Sequence, residues 1–330
     1  MSKTLKTLMI VFGLLVLIGL GACSSDVTTV LDPGASLCFN CHSDQDTYLI
    51  DKQMEWAYSS HGIGNYVAYA GGRSGCSGCH SGAGFEARLA GETEVPYATP
   101  IRCFSCHAPH SNANFNLRVT EPQPLASGYT MDLGVSNLCT ACHVGRTSVD
   151  DAVPHDATEA SVTSTHWGAH HGPQGDLFMG QNGYEYDGVT YRRAVPPAHN
   201  TDESRCFGCH GNDNPAIDLG GHSFIQDNGA DEDNLNVASC NRCHSDLEDF
   251  DVNDVQTEVE DMMAELQGLL IGMGLLDSEG GLIKDVTGTP DEIGAVWNYI
   301  LVEEDRSAGV HNPDYIRDLL QGSLDYLNSK

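Results

Sequence analysis

Hydrophobic and polar positions divide this chain into three stretches. At the start, Leu8 to Leu20 is almost uninterrupted apolar sequence behind Lys3 and Lys6. At the end, Val255, Val259, Met262, Met263, Leu266, Leu269 and Leu270 recur at helical spacing, and Gly274 offers a stop. A second helix is predicted from Thr289-Pro290, a cap followed by a first-turn proline, with Ile293, Val296, Trp297, Ile300 and Leu301 on one face. A third begins at Asn312-Pro313 and carries Ile316, Leu319, Leu320, Leu324 and Leu327. In the long middle stretch, Tyr184 to Tyr191 alternates around Asp187-Gly188, which predicts a small hairpin. Residues 211–236 are rich in Gly, Asp and Asn and read as a solvated acidic loop. With 36 Gly and 13 Pro, the expected fold is mainly α with extensive loops, closed by a helical segment over 251–330.

The leading apolar run is shorter than the ~20 residues a membrane-spanning helix needs, so residues 1–22 read as a cleaved secretory signal. They end Leu20-Gly21-Ala22-Cys23, which resembles a bacterial lipoprotein signal, with small residues for the peptidase and then a cysteine for the lipid. Ser24 and Ser25 follow, and Asp26 lies too far along to match the inner-membrane retention signal of lipoproteins. The resemblance implies lipidation at Cys23 and an extracytoplasmic protein anchored to an outer membrane, on its periplasmic or its cell-surface face.

Sixteen Lys and Arg stand against 46 Asp and Glu, a formal charge of -30. That balance excludes a nucleic-acid partner bound by phosphate neutralisation, because the dominant electrostatic term has the wrong sign. A hydrophobic content of 40% keeps the chain globular, yet aromatics make up only 7%, little for a large conventional core. The 13 cysteines are an odd number, so intramolecular disulfides cannot consume them all.

Twelve of them form six copies of one motif: Cys38-x-x-Cys41-His42, Cys76-x-x-Cys79-His80, Cys103-x-x-Cys106-His107, Cys139-x-x-Cys142-His143, Cys206-x-x-Cys209-His210 and Cys240-x-x-Cys243-His244. Two thiols two residues apart on one turn reach the two vinyl groups of a haem and form thioethers, and the adjacent imidazole becomes the proximal iron ligand. A zinc ribbon would use four thiolates per metal without a histidine after every second one. A thioredoxin-like dithiol would occur once. Six copies that leave only Cys23 over point to six haem c groups. The secretory signal agrees, because haem attachment of this kind occurs outside the cytoplasm.

On these motifs the sequence resembles a hexahaem, lipid-anchored member of the multihaem c-type cytochromes, with residues 23–250 as the haem-binding region. Motif starts at 38, 76, 103, 139, 206 and 240 show no fixed period, so no solenoid of equal units is expected. The residues available per haem would make only a marginal domain on their own, so the macrocycles must supply much of the apolar interior. A globule of this size has a radius of gyration of roughly 19 Å, which brings neighbouring haem edges close together. The expected product is a continuous electron path.

Of 15 histidines, nine lie outside the motifs: His61, His110, His155, His166, His170, His171, His199, His222 and His311. They suffice to give every iron a second imidazole. Met54, Met131 and Met179 are alternatives, whereas Met262, Met263 and Met273 sit on a helical apolar stripe and read as packing. The segment Trp56 to Gly62 is similar to a distal-ligand segment common in these cytochromes. His170-His171-Gly-Pro-Gln, Gly220-Gly221-His222-Ser-Phe and His311-Asn-Pro also resemble family segments. His110 stands too near its own proximal His107 to wrap round and suits a neighbouring haem, and His199 lies shortly before Cys206. The candidate distal set is His61, His110, His171, His199, His222 and His311, with His170 the rival to His171.

The helices of 251–330 resemble the C-terminal helices of the ammonia-forming nitrite reductases, and this resemblance implies that they pack on the haem array and present His311; a dimerisation hairpin is the alternative. Those reductases mark their open haem with a proximal Lys, and here all six motifs end in His. Electron transfer without substrate chemistry is therefore the favoured reading. Reduction of nitrite, hydroxylamine or sulfite at one open haem is the alternative, and a polymerising cytochrome filament is a second. Expected partners are other multihaem cytochromes. Calcium near Asp227, Asp231, Glu232 and Asp233 is disfavoured, because the run lacks the EF-hand ligand pattern.

Overall fold

A computed structural model describes residues 47–330 apart from 94, 96, 109–114, 215, 216, 218 and 230–233. Cys23, the motif Cys38 to His42, His110 and the acidic residues 231–233 lie outside the described residues. The chain divides into two compact units, Met1–Leu49 and Ile50–Lys330, and the first contributes to this description only the opening turn of a helix.

That helix, α1, spans Thr47–Tyr58. Short turns of helix follow at Ser60–Ile63, Val67–Ala70 and Ser77–His80, then α2 over Gly82–Leu89. The middle of the chain is loop punctuated by single helical turns and two two-residue ladders. In these, β1 (Gln123–Pro124) pairs antiparallel with β2 (Thr130–Met131), and β3 (Ala160–Ser161) pairs antiparallel with β4 (Thr287–Gly288). Three long helices close the chain: α3 over Val255–Gly272, α4 over Pro290–Asp305 and α5 over Pro313–Asn328.

The helix boundaries fall where the sequence signals place them. Gly274, at φ 71°, ends α3: Leu275 N donates to Leu270 O at 2.9 Å and Gly274 N to Ile271 O at 2.9 Å, the crossed pair of a Schellman stop. Thr289 opens α4 in a reciprocal box, accepting from Glu292 N at 3.3 Å while its own N donates to Glu292 Oε2 at 2.8 Å. Asn312, fully buried, caps α5 by accepting from Tyr315 N at 3.4 Å.

Ile293, Val296, Trp297 and Leu301 of α4 pack with Leu266 and Leu270 of α3 and Ile316, Leu319 and Leu320 of α5 in one buried cluster. Val149, Val153, Val162, Leu177, Tyr184 and Tyr186 complete it, so the helices share their core with the loops before them. Asn298 lies in the apolar face of α4 because it pairs with extended backbone there: its Oδ1 accepts from Tyr184 N at 2.7 Å and its Nδ2 donates to Tyr184 O at 2.9 Å.

This arrangement overrides the hairpin expected at Tyr184–Tyr191. A turn does form, with Val189 N donating to Tyr186 O at 3.3 Å, but no ladder follows. Gly188 takes φ 80° while Asp187 is absent from the positive-φ set. That is type II geometry, which splays flanking strands. The backbone of Tyr184 is held by Asn298, and Tyr186 N donates to Tyr191 Oη at 2.8 Å, so neither is free to pair across the turn.

Candidate haem-binding sites

Every described Cys-x-x-Cys pair lies on one turn of helix: within Ser77–His80, Cys103–Cys106, Asn137–Thr140, Cys206–His210 and the 3-10 turn Cys240–Arg242, each extended by a residue or two. In four of them the motif histidine N donates to the carbonyl of the first cysteine: His80 to Cys76 at 3.0 Å, His107 to Cys103 at 2.8 Å, His143 to Cys139 and His244 to Cys240 at 2.9 Å each. The turn puts both thiols and the imidazole on one side of the backbone, and no disulfide joins the ten described motif cysteines.

Across from each described motif histidine stands a second one. The ring centroids lie 5.9 Å apart for His143 and His61, 6.2 Å for His80 and His170, 6.3 Å for His107 and His222, 6.4 Å for His210 and His311, and 6.2 Å for His244 and His199. A first-row metal ion sits about 2 Å from an imidazole nitrogen. Two rings on opposite sides of one iron therefore have centroids roughly 6 Å apart. Each pair joins one motif histidine to one outside any motif.

The other ring nitrogens are also provided for. His107 Nδ1 lies 2.6 Å from Phe115 O, His210 Nδ1 3.0 Å from Phe224 O, His143 Nδ1 3.1 Å from Gln174 Oε1 and His311 Nδ1 2.7 Å from Asp305 Oδ1. An acceptor at Nδ1 fixes the tautomer and leaves Nε2 to face the metal. Burial, with His143 and His210 nearby, lowers His61 to about 4, and burial, with Arg146 and neighbouring histidines, does the same to His170. Both stay neutral at pH 7, as metal ligation requires. His311 departs from this: burial pushes it down, and the Asp305 carboxylate more than offsets that, so it ends raised.

Local backbone explains which residues are presented. His170 adopts φ 84°, a left-handed conformation that non-glycine residues rarely take, between Gly168 at φ 131° and Gly172 at φ 91°. This bend turns His170 toward His80, whereas His171 meets Glu304, with Nδ1 2.5 Å from Oε1. His222 follows Gly220 and Gly221, and a Cβ on Gly220 would lie 1.8 Å from Asn212 O. Glu55 of α1 accepts from His222 N at 2.6 Å. Asp51, Glu55 and Asp213 form the described cluster of possible cation ligands, but the Lys52 ammonium lies among them, 2.8 Å from Asp213 and 3.2 Å from Asp51.

Large apolar side chains left exposed mark the same region. All but Met273 and Val310 lie between residues 50 and 207, among them Tyr66, Tyr69, Phe104, Phe115 and Phe207. The ring of Phe115 is 5.9 Å from His107 and that of Tyr66 is 6.3 Å from His80. Apolar surface gathered around paired imidazoles and paired thiols fits a flat apolar macrocycle with an iron at its centre.

Neighbouring motifs are in contact. Cys142 hydrogen-bonds Cys79 and, with Arg88, holds that thiol down to about 6. The Arg88 guanidinium reaches Cys79 Sγ at 3.5 Å, Cys142 Sγ at 3.9 Å and Ala141 O at 2.9 Å. Cys139 hydrogen-bonds Cys206 and lowers it to about 7, while Phe207 N donates to Ser136 Oγ at 3.2 Å.

Of the sequence candidates, His61, His199, His222 and His311 each face a motif histidine. His171 does not, and His170 takes that place. His155 stacks on Tyr184 at 4.3 Å, away from the described motif histidines, and His166 N is bonded to Ser164. Sequence reading missed Gln174, Asp305, Glu55 and Arg88. Only Gln174 carried a signal, as the end of the His170-His171-Gly-Pro-Gln segment.

No family model matches the chain. The C-type polyheme cytochrome OmcB of Geobacter sulfurreducens is 23% identical over 296 residues, which cover 76% of this chain and 37% of OmcB. Among solved structures, the Outer Cell Wall Cytochrome OcwA superposes with a TM-score of 0.54 at 19% identity, over 84% of this chain and 50% of its own. The undecaheme cytochrome from the S-layer of Carboxydothermus ferrireducens gives 0.46 at 20% identity, over 85% and 40%. The chain thus spans less than half the length of OmcB and half that of OcwA. Its fold and its repeated motif are those of the multihaem c-type cytochromes.

Proposed function

We propose that the protein conducts electrons through six haem c groups, each held between two imidazoles, in a lipid-anchored extracytoplasmic cytochrome serving extracellular respiration. The observation that carries this reading is the set of five histidine pairs, each spaced for one iron and each joining a motif residue to a distant one. Haem supplies a one-electron couple at each position. The thiol pairs anchor, the imidazoles fix coordination, and the contacts of Cys142 with Cys79 and of Cys139 with Cys206 bring three attachment turns together so that electrons cross short gaps. The assigned axial pairs are His80 with His170, His107 with His222, His143 with His61, His210 with His311 and His244 with His199. His42 completes its site with one of the remaining histidines.

With both axial positions taken by imidazole, an iron changes charge without admitting nitrite, hydroxylamine or sulfite, which favours conduction over reduction. Redox partners are other multihaem cytochromes. Among the described residues no helix is long and apolar enough to cross a membrane, and attachment rests on lipid at Cys23. Denaturing mass spectrometry of the matured protein is expected to count six haems, and electron paramagnetic resonance of the oxidised protein to show low-spin signals alone. Five or fewer haems, or a substantial high-spin signal together with oxyanion turnover, overturns the reading.

A further inference from the structure

The last turn of α4 serves two neighbouring sites, and with different chemistry. At the His210–His311 site, the side chain of Asp305 is fully buried and its Oδ1 accepts from His311 Nδ1 at 2.7 Å, while Oδ2 accepts from Ser307 Oγ. At the His143–His61 site the same role falls to a neutral group. Gln174 Nε2 donates to the carbonyls of Glu304 at 3.3 Å and Asp305 at 3.2 Å, carbonyls that the end of a helix leaves without intrahelical partners. Its Oε1 is thereby aimed at His143 Nδ1, 3.1 Å away.

The two sites are adjacent. Phe224 gives its carbonyl to His210 Nδ1 at 3.0 Å, and its ring stands 5.9 Å from that of His61. Cys139 hydrogen-bonds Cys206. Arg88 places positive charge beside the Cys139–His143 turn through Ala141 O and Cys142 Sγ. The buried Asp176 lies near that turn too, but it accepts from Gly145 N and Asn182 Nδ2 and touches no imidazole.

A carboxylate at Nδ1 draws the ring proton toward itself and makes Nε2 a stronger donor to the metal, which stabilises iron(III) over iron(II). A carboxamide at the same place does this weakly. We infer that Asp305 and Gln174 are positioning residues that set a potential step between two neighbouring haems, the His210–His311 haem lower and the His143–His61 haem higher. The inference rests on the axial pairs proposed above. It gives this part of the path a direction. One electron leaves iron(II) at the first site and converts iron(III) to iron(II) at the second. No bond forms or breaks, and the proton stays between His311 and Asp305.

Spectroelectrochemical titration of the haem-loaded protein, followed optically and by electron paramagnetic resonance, tests it. In Asp305→Asn, one low-spin haem is expected to move to higher potential with the other five in place. That haem should be the one that His311→Ala turns high-spin. Gln174→Glu is expected to move a different haem to lower potential. Should Asp305→Asn fail to accumulate, Ser307→Ala removes the hydroxyl that competes for Asp305, and the His311 haem is expected to move down. If Asp305→Asn or Ser307→Ala, carrying six low-spin haems, leaves that potential where it was or shifts it the other way, the step is not set by Asp305. A wild-type protein short of six low-spin haems would instead remove the axial pairs on which the inference stands.

Discussion

At His170 the chain bends through a left-handed conformation that costs about 1 kcal/mol or more for a residue with a side chain, and the gain is an imidazole set 6.2 Å from His80. His171, one residue on, has the same side chain and faces Glu304. Sequence context could not separate them, because the choice is made by one φ angle. His170→Ala is expected to convert one haem to high-spin, visible in the optical and paramagnetic resonance spectra, whereas His171→Ala should leave all haems low-spin. A second residue-scale prediction concerns Asp176. It is fully buried, and burial raises its carboxyl to about 6 despite bonds from Gly145 and Asn182. A carboxyl whose pKa is higher folded than unfolded gives a stabilisation that is complete below about pH 4 and lost as pH rises through about 6, on the order of 2–3 kcal/mol. Urea unfolding between pH 4 and 7 should therefore show a falling stability whose slope is reduced in Asp176→Asn, whatever the offset between the two proteins.

Among elements, α4 was the most fully legible from sequence. Its cap, its first-turn proline and its apolar face follow from local spacing and hydrogen-bond chemistry. The pattern did not show that this helix is buried almost all round, with Gly294, Ala295, Asn298, Tyr299 and Val302 inside as well. Tyr184 supplies the reason: a Cβ on Gly294 would stand 2.2 Å from its ring. Gly294→Ala is expected to lower stability by about 1–3 kcal/mol through overpacking, measured as a shift in the urea midpoint at constant slope. The hairpin at Tyr184–Tyr191 failed for the complementary reason. Alternation and Asp-Gly describe what a segment can do alone, and here Asn298 and Tyr191 take its hydrogen bonds.

For the whole molecule, the exposed apolar side chains between residues 50 and 207 and the buried ones of the C-terminal helices describe two ways of making an interior. One is filled by protein side chains and the other, in the proposed function, by macrocycles attached through thioethers. Attachment to the membrane belongs to this scale as well. Cys23→Ala is expected to move the protein from the membrane to the soluble fraction with its haem content unchanged, checked by fractionation and haem staining. A variant that stays in the membrane with residues 1–22 intact would make that segment an anchor in its own right.

The sequence by itself determined the chemistry that short spacing encodes: six Cys-x-x-Cys-His turns, because two thiols and an imidazole must share one turn to meet one haem, and three capped amphipathic helices, because caps and periodicity act within a few residues. His61, His199, His222 and His311 could be named as candidates because there were irons to satisfy and few imidazoles to do it. Only the tertiary structure decided which motif each histidine faces, that His170 stands where His171 was expected, and that Gln174 and Asp305 reach two imidazoles from one helix end. The physical reason is range. Those partners are separated by up to 131 residues along the chain and meet through packing of α4 against the loops before it, a contact to which no local pattern is sensitive.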